Sequence, residues 1–215
     1  MAKKIFATII AIGTLSMPMK SLAQLDSAYA LALQCNHAAM GVGSTEAAIC
    51  LNYLLGVVGG ANIDRAMFCP SARMLRGQIA SLYVQHFKDH SELQGENRIT
   101  AAYFALKAAM PCGRRGNPPI PPRRSSDPVD PRDTAYALMT ECNVINANPV
   151  VCMNYLTGFV DGANINRKMF CPSATSPGEL PFIYQKYASA HPELSGKHRV
   201  EVVRAALKDA FPCRE

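Results

Sequence analysis

The sequence predicts an all-α protein: two tandem, disulfide-stapled four-helix units joined by a Pro/Arg-rich linker. Three observations predict it. Residues 49–72 match residues 151–174 at 17 of 24 positions without a gap, and the shared residues include the run Gly-Ala-Asn-Ile. The cysteines recur in step: Cys35, Cys50, Cys69 and Cys112, then Cys142, Cys152, Cys171 and Cys213, with the central interval of 19 residues kept in both copies. Apolar residues also fall at helical spacing in both copies. Two repeats of some 80 to 90 residues are too few and too long for a solenoid. They read as two domains.

The first element is a leader. Lys3 and Lys4 precede an apolar run from Ile5 to Met17, and Ser21-Leu22-Ala23 supplies small residues before a cut ahead of Gln24. Residues 1–23 therefore read as a secretory signal peptide. The run of about 13 residues is shorter than the ~20 a membrane-spanning helix needs, so no membrane association is expected once it is removed. In a Gram-negative cell the destination is the periplasm, with the extracellular space as the alternative. Eight cysteines agree with an oxidising compartment.

Residues 24–112 form the first domain, 113–132 the linker and 133–215 the second domain. The linker holds six prolines and five arginines, which exclude a packed core and predict an extended segment. It also carries the surplus charge. Of the net +6, three charges leave with the leader; the first domain has six basic and six acidic residues, the second eight of each, and the linker five Arg against two Asp. Two neutral domains argue against a nucleic-acid binder, which needs a basic face on a folded domain. Pro118-Pro119-Ile120-Pro121-Pro122 offers a PxxP pattern, read here as a spacer.

Within each domain the helices are read in order. The first spans about 26–39 and 134–140; the second begins near Ser44 and at Asn148-Pro149, where Asn as N-cap and Pro at the first helical position are a start signal. Tyr53, Leu54, Val57, Val58 and Ala61, with Tyr155, Leu156, Phe159, Val160 and Ala163, make its apolar face. The third covers about 75–90 and 180–191. Its second-copy start is either a capping box at Ser176-Pro177-Gly178-Glu179 or a later one at Pro181. The fourth spans 99–110, matched by a stripe of Val200, Val203, Leu207, Ala210 and Phe211 that Pro212 ends.

Helix geometry separates the three pairings open to four cysteines. Cys50 and Cys69 bracket the second helix, and a straight helix would hold them roughly 28 Å apart, whereas a disulfide needs Cα atoms within about 7 Å. Two antiparallel hairpins instead bring together Cys35 with Cys50, Cys69 with Cys112, Cys142 with Cys152, and Cys171 with Cys213. Zinc is the rival reading. No CxxC pair supports it.

The sequence carries no familiar catalytic signature. It lacks G-x-S-x-G, H-E-x-x-H, a phosphate-cradling glycine loop and CxxCH. His86 and His90, four apart on one helix, could share a metal ion, but the matching positions are Tyr187 and His191, so the repeated His reads as a helix C-terminal residue facing the last carbonyls. With every cysteine expected in a disulfide, a thiol nucleophile is excluded. Glu92 and Glu193 recur without a repeated acidic partner. Tyr53 and Gly56, repeated as Tyr155 and Gly158, read as helix packing. No catalytic residue, cofactor or metal is assigned, and the chain reads as a binding protein, not an enzyme.

One family is recognisable in the motifs. Cys50-Leu51-Asn52-Tyr53-Leu54-Leu55-Gly56, Cys69-Pro70, His90-Ser91-Glu92-Leu93 and Met110-Pro111-Cys112 resemble the Rap/Tai immunity proteins. The second copy is closer, with Cys152, Tyr155, Gly158, Cys171-Pro172, His191-Pro192-Glu193 and Phe211-Pro212-Cys213. The resemblance covers essentially all of both units. It implies a small exported helical protein that binds a secreted peptidoglycan amidase of type VI secretion and blocks its substrate groove. Family members are usually single units that dimerise, so two units in one chain imply an intramolecular pseudo-dimer. A periplasmic acid-stress chaperone or an orphan protein-binding module is the alternative function, although five His in 215 residues offer little for a chaperone's pH switch. The expected partner contact is the exposed polar loop between the third and fourth helices: Glu92, Gln94, Glu96, Asn97 and Arg98, with Glu193, Lys197, His198 and Arg199.

Overall fold

A computed structural model describes residues 26–64, 66–70, 74, 76–112, 129–143, 149–172 and 176–213. The leader, Asn148 and nearly all of the linker lie outside the described residues. The first half contains α1 (Ala28–Ala39), α2 (Thr45–Ala61), α3 (Arg76–Asp89) and α4 (Arg98–Ala109); the second contains α5 (Ala135–Cys142), α6 (Pro149–Ala163), α7 (Leu180–Ala190) and α8 (Arg199–Ala210). No helix among the described residues is long and apolar enough to cross a membrane.

Helix starts follow side-chain capping. Ser27, Ser44, Asn97 and Thr134 each accept a hydrogen bond from a backbone N–H three residues on, which satisfies a donor that the first turn leaves free. At α7 both expected starts are used in succession. Ser176 and Glu179 form a capping box on a 3-10 turn, Pro177–Glu179, and the α-helix proper opens at Leu180 with Pro181 in its first turn, where no intrahelical N–H is needed.

Disulfides close each hairpin: Cys35–Cys50, Cys69–Cys112, Cys142–Cys152 and Cys171–Cys213, with Cα atoms 5.0 to 5.1 Å apart. The Asn of the duplicated Gly-Ala-Asn-Ile run has a structural task in both halves. Asn62 donates to Phe68 O and accepts from the Met67 and Phe68 N–H groups, while Asn164 makes the same three bonds with Phe170 and Met169. This staple holds the chain leaving α2 or α6 in position for the next cysteine. Likewise Tyr83 and Tyr184 donate to the carbonyls of Ala28 and Ala135, tying the third helix of each half to the start of the first.

Two apolar cores result, and they are joined. Tyr53, Leu54, Val57, Phe68, Tyr83 and Leu106 anchor the first core; Leu138, Leu156, Phe159, Phe170, Tyr184 and Leu207 anchor the second. Ile165 packs on the first, while Leu55 and Ile63 pack on the second. The contact runs along α2 and α6. A Cβ at Gly56 or Gly60 would overlap the backbone of Tyr155 or Phe159, and a Cβ at Gly158 or Gly162 would overlap that of Tyr53 or Val57. The repeated Gly-x-x-x-Gly thus lets two helix backbones touch around a pseudo-twofold axis, by the close-approach logic familiar from helix pairs in membranes. The two halves make a closed pair, not independent beads.

Candidate protein-binding site

The loops that join α3 to α4 and α7 to α8 are built alike in the two halves. After α3 the chain enters a 3-10 turn, Ser91–Gly95; after α7 it enters Pro192–Leu194. His90 Nδ1 lies 2.8 Å from Glu92 Oε1, and His191 Nδ1 lies 3.0 Å from Glu193 Oε1. The turn sets this pairing by bringing a side chain two residues on back toward the imidazole. The duplicated histidine is therefore engaged by a carboxylate, where the sequence suggested helix carbonyls. Both glutamates are held below the usual carboxylate range, first by their own backbone N–H groups and then by the histidine.

A ring four residues earlier packs on each of these histidines. His86 and His90 have centroids 4.2 Å apart, and Tyr187 and His191 4.4 Å. Tyrosine at the equivalent place makes His86 a packing ring. Among the described residues no group of three or more His, Cys, Asp or Glu is placed to hold a metal ion.

Each loop is tied to the start of its domain. Ala28 N–H donates to Glu96 O and Arg98 N–H to Asp26 O, while Ala135 N–H donates to Lys197 O and Tyr136 N–H to Ser195 O. The loop thereby sits beside the outer face of α1 or α5. On those faces stand Tyr29 and Tyr136, equivalent residues that are 54% and 62% exposed. The second-half loop also rims a cleft of about 400 Å³ lined by Tyr136, Met139, Ala188, His191, Pro192 and Leu194. In the first half a cleft of about 570 Å³ is lined by His86, His90, Glu92, Leu93, Phe104 and Lys107.

The nine loop residues divide by placement. Glu92, Gln94, Glu96, Glu193 and Lys197 are exposed. Asn97 is also exposed, but its carboxamide accepts the Thr100 N–H at 2.9 Å, and His198 Nδ1 accepts the Val200 N–H at 3.3 Å, so both cap helices. Arg98 and Arg199 depart from the expected exposed loop. Each is the first residue of its helix and turns inward over a tyrosine ring, Arg98 at 4.5 Å from the Tyr53 centroid and Arg199 at 5.2 Å from that of Tyr155. Arg98 reaches Asp26 at 3.1 Å and Asp161 at 3.9 Å. Arg199, only 3% exposed, lies 3.7 Å from Asp133 and 3.5 Å from Glu141, and its Nε and Nη2 make no hydrogen bond. Each guanidinium lies over a ring that its half presents at the joint with the other, a contact to which sequence position gives no clue.

Tyr29 and Tyr136 were not among the residues singled out. The signal was present, since a tyrosine two residues after each first-helix N-cap is repeated, but exposure depends on which face of the helix the core takes. The Gly60 and Gly162 pair was equally readable as the second half of a duplicated Gly-x-x-x-Gly.

Comparison with known proteins adds one finding. The profile of a family described as Rap1a immunity proteins matches residues 27–112 and again residues 134–213. No curated protein and no solved structure matches the chain.

Proposed function

The chain belongs to the Rap1a immunity protein family, and from that premise we propose that it acts in the periplasm, without chemistry of its own, by binding a secreted peptidoglycan amidase and covering its substrate groove. The observation that carries this reading is that the family match runs through both halves, each complete with its two disulfides. Membership implies a secreted effector as the partner. The amidase is the finer reading, supported by the motif resemblance of both units. Four disulfides fit a protein exported to an oxidising compartment.

The binding surface in this reading is the His–Glu turn of each half, with the exposed Glu92, Gln94, Glu96, Glu193 and Lys197, extended to Tyr29 and Tyr136 beside it. An exposed tyrosine bordered by polar groups has the character of an interface anchor, since Tyr supplies a large rigid contact and a hydroxyl. Asn97, Arg98, His198 and Arg199 contribute by holding the turns in place.

The test is protection. A peptidoglycan amidase exported to the periplasm lyses the host cell, and co-export of this chain is expected to prevent lysis. Replacing Tyr29, Glu92, Tyr136 and Glu193 together by Ala should abolish protection with the folded protein still present at its normal level. Full protection by that variant would remove these turns as the contact surface, and lysis with the unaltered chain would remove that amidase as the target.

A further inference from the structure

The joint between the halves is symmetric in its backbone and asymmetric in its side chains, and the asymmetry is complementary. The pseudo-twofold axis exchanges Val57 with Phe159, Gly59 with Asp161, Ile99 with Val200, Asp64 with Asn166 and Tyr103 with Arg204. On one side Gly59 faces the large residues of the other half. A Cβ there would lie 3.2 Å from Val200 Cγ2 and 3.5 Å from both Phe159 Cδ2 and Tyr155 Oη. On the mirror side Asp161 occupies the position of Gly59. Its carboxylate accepts a hydrogen bond from Tyr53 Oη at 2.9 Å and approaches Arg98 Nε at 3.9 Å. A large residue therefore meets a small one on the Gly59 side, Phe159 with Gly59, while on the mirror side the Asp161 carboxylate takes the Tyr53 hydroxyl.

We propose that the α2 face of the first half recognises the α6 face of the second half in preference to a second copy of itself, so that the joint is a hetero-specific interface. Two first halves would set Val57 and Gly59 together on both sides, leaving the volume of the Phe159 ring unfilled twice. They would also bury two Tyr53 hydroxyls without the Asp161 acceptor. Two second halves would set Phe159 and Asp161 together on both sides, forcing a carboxylate into a space where a single Cβ is already tight.

Charge points the same way. Asp64 of the first half receives both Arg167 and Arg204 of the second, with Arg204 Nη2 3.0 Å from Asp64 Oδ1. In a pair of second halves, Asn166 would face those two arginines. In a pair of first halves, Tyr103 would stand where Arg204 stands. A pair of second halves loses both ion pairs to Asp64; a pair of first halves carries Arg65 at the position of Arg167 but loses the Arg204 pair, and an unmatched charge helps to exclude a wrong partner.

The experiment uses the full oxidised chain with a protease site placed within 113–128, cleaved after folding. Isotope-labelled and unlabelled cleaved protein are mixed until partners exchange, and native mass spectrometry counts the pairs. The expected result is that labelled and unlabelled halves scramble only as first-with-second pairs, in excess over statistical proportions by about tenfold or more. Self-pairs in statistical proportion, or halves that separate as monomers, would overturn the proposal. Complementation gives a second readout. Gly59→Asp alone should lower the yield of mixed pairs, and exchanging the whole set, Val57→Phe and Gly59→Asp with Phe159→Val and Asp161→Gly, should restore it by moving the same fit to opposite sides. No restoration in the exchanged variant would contradict a size-and-charge match as the source of selectivity.

Discussion

Single residues decide the joint between the halves. At Gly60 a side chain would have to enter the Phe159 backbone, so the helices must part to admit it. Gly60→Val should destabilise the protein by at least ~1–3 kcal/mol, the usual range for overpacking, whereas Gly95→Ala, with nothing within 4 Å of its Cβ, should change stability by less than about 0.5 kcal/mol. Urea unfolding of both variants checks the contrast. Asp161 gives a pH test. Burial raises its pKa above the ordinary carboxylate value, with Arg98 and the Tyr53 hydroxyl opposing the rise. A carboxyl that binds its proton more tightly folded than unfolded stabilises the folded state on protonation. The unaltered protein should therefore gain stability relative to Asp161→Asn as pH falls through the raised pKa, with the gain complete below the ordinary value of 3.8. Parallel curves for the two proteins in urea titrations from neutral pH to pH ~3 would refute the assignment. The sequence made the glycines at 56 and 158 readable as packing residues because their duplication is visible. It could not reveal that Arg98 and Arg199 turn inward, because a basic residue at a helix start looks the same whether it faces solvent or a tyrosine ring.

At the level of elements, helices α1 to α8 were legible because apolar spacing, caps and prolines agree locally, and the pairing of cysteines followed from helix length, which keeps Cys50 from Cys69, together with the antiparallel hairpins that bring the other partners together. The short 3-10 turns were not. Their geometry depends on how α3 and α4, or α7 and α8, are anchored by Ala28 and Ala135 far away in sequence. The same reasoning ranks the disulfides. Cys69–Cys112 closes a separation of 43 residues and Cys142–Cys152 one of 10. Chain-entropy arguments give about 4 kcal/mol for the longer loop and about 2.7 for the shorter. Replacing Cys69 and Cys112 by Ala should accordingly lower the thermal midpoint more than replacing Cys142 and Cys152. Calorimetry of the two double variants reads this directly, and the reverse order would mean that strain or residual unfolded structure dominates.

For the whole molecule, the duplication was plain in the sequence, and so was the prospect that the copies pair. What was hidden is how: the fit depends on residues that differ between the copies, and differences between repeats look like drift until the axis that exchanges them is known. Pairing through α2 and α6 leaves both His–Glu turns, with Tyr29 and Tyr136 beside them, at the surface and free of the joint. On the proposed function, this surface blocks a secreted amidase. The most direct measurement is a titration of a purified peptidoglycan amidase, digesting purified cell wall, with the folded chain. Release of peptide should fall to zero at a fixed stoichiometric ratio, and the Tyr29, Glu92, Tyr136 and Glu193 alanine variant should leave release unaffected. Undiminished release at saturating concentrations of the unaltered chain would contradict the claim.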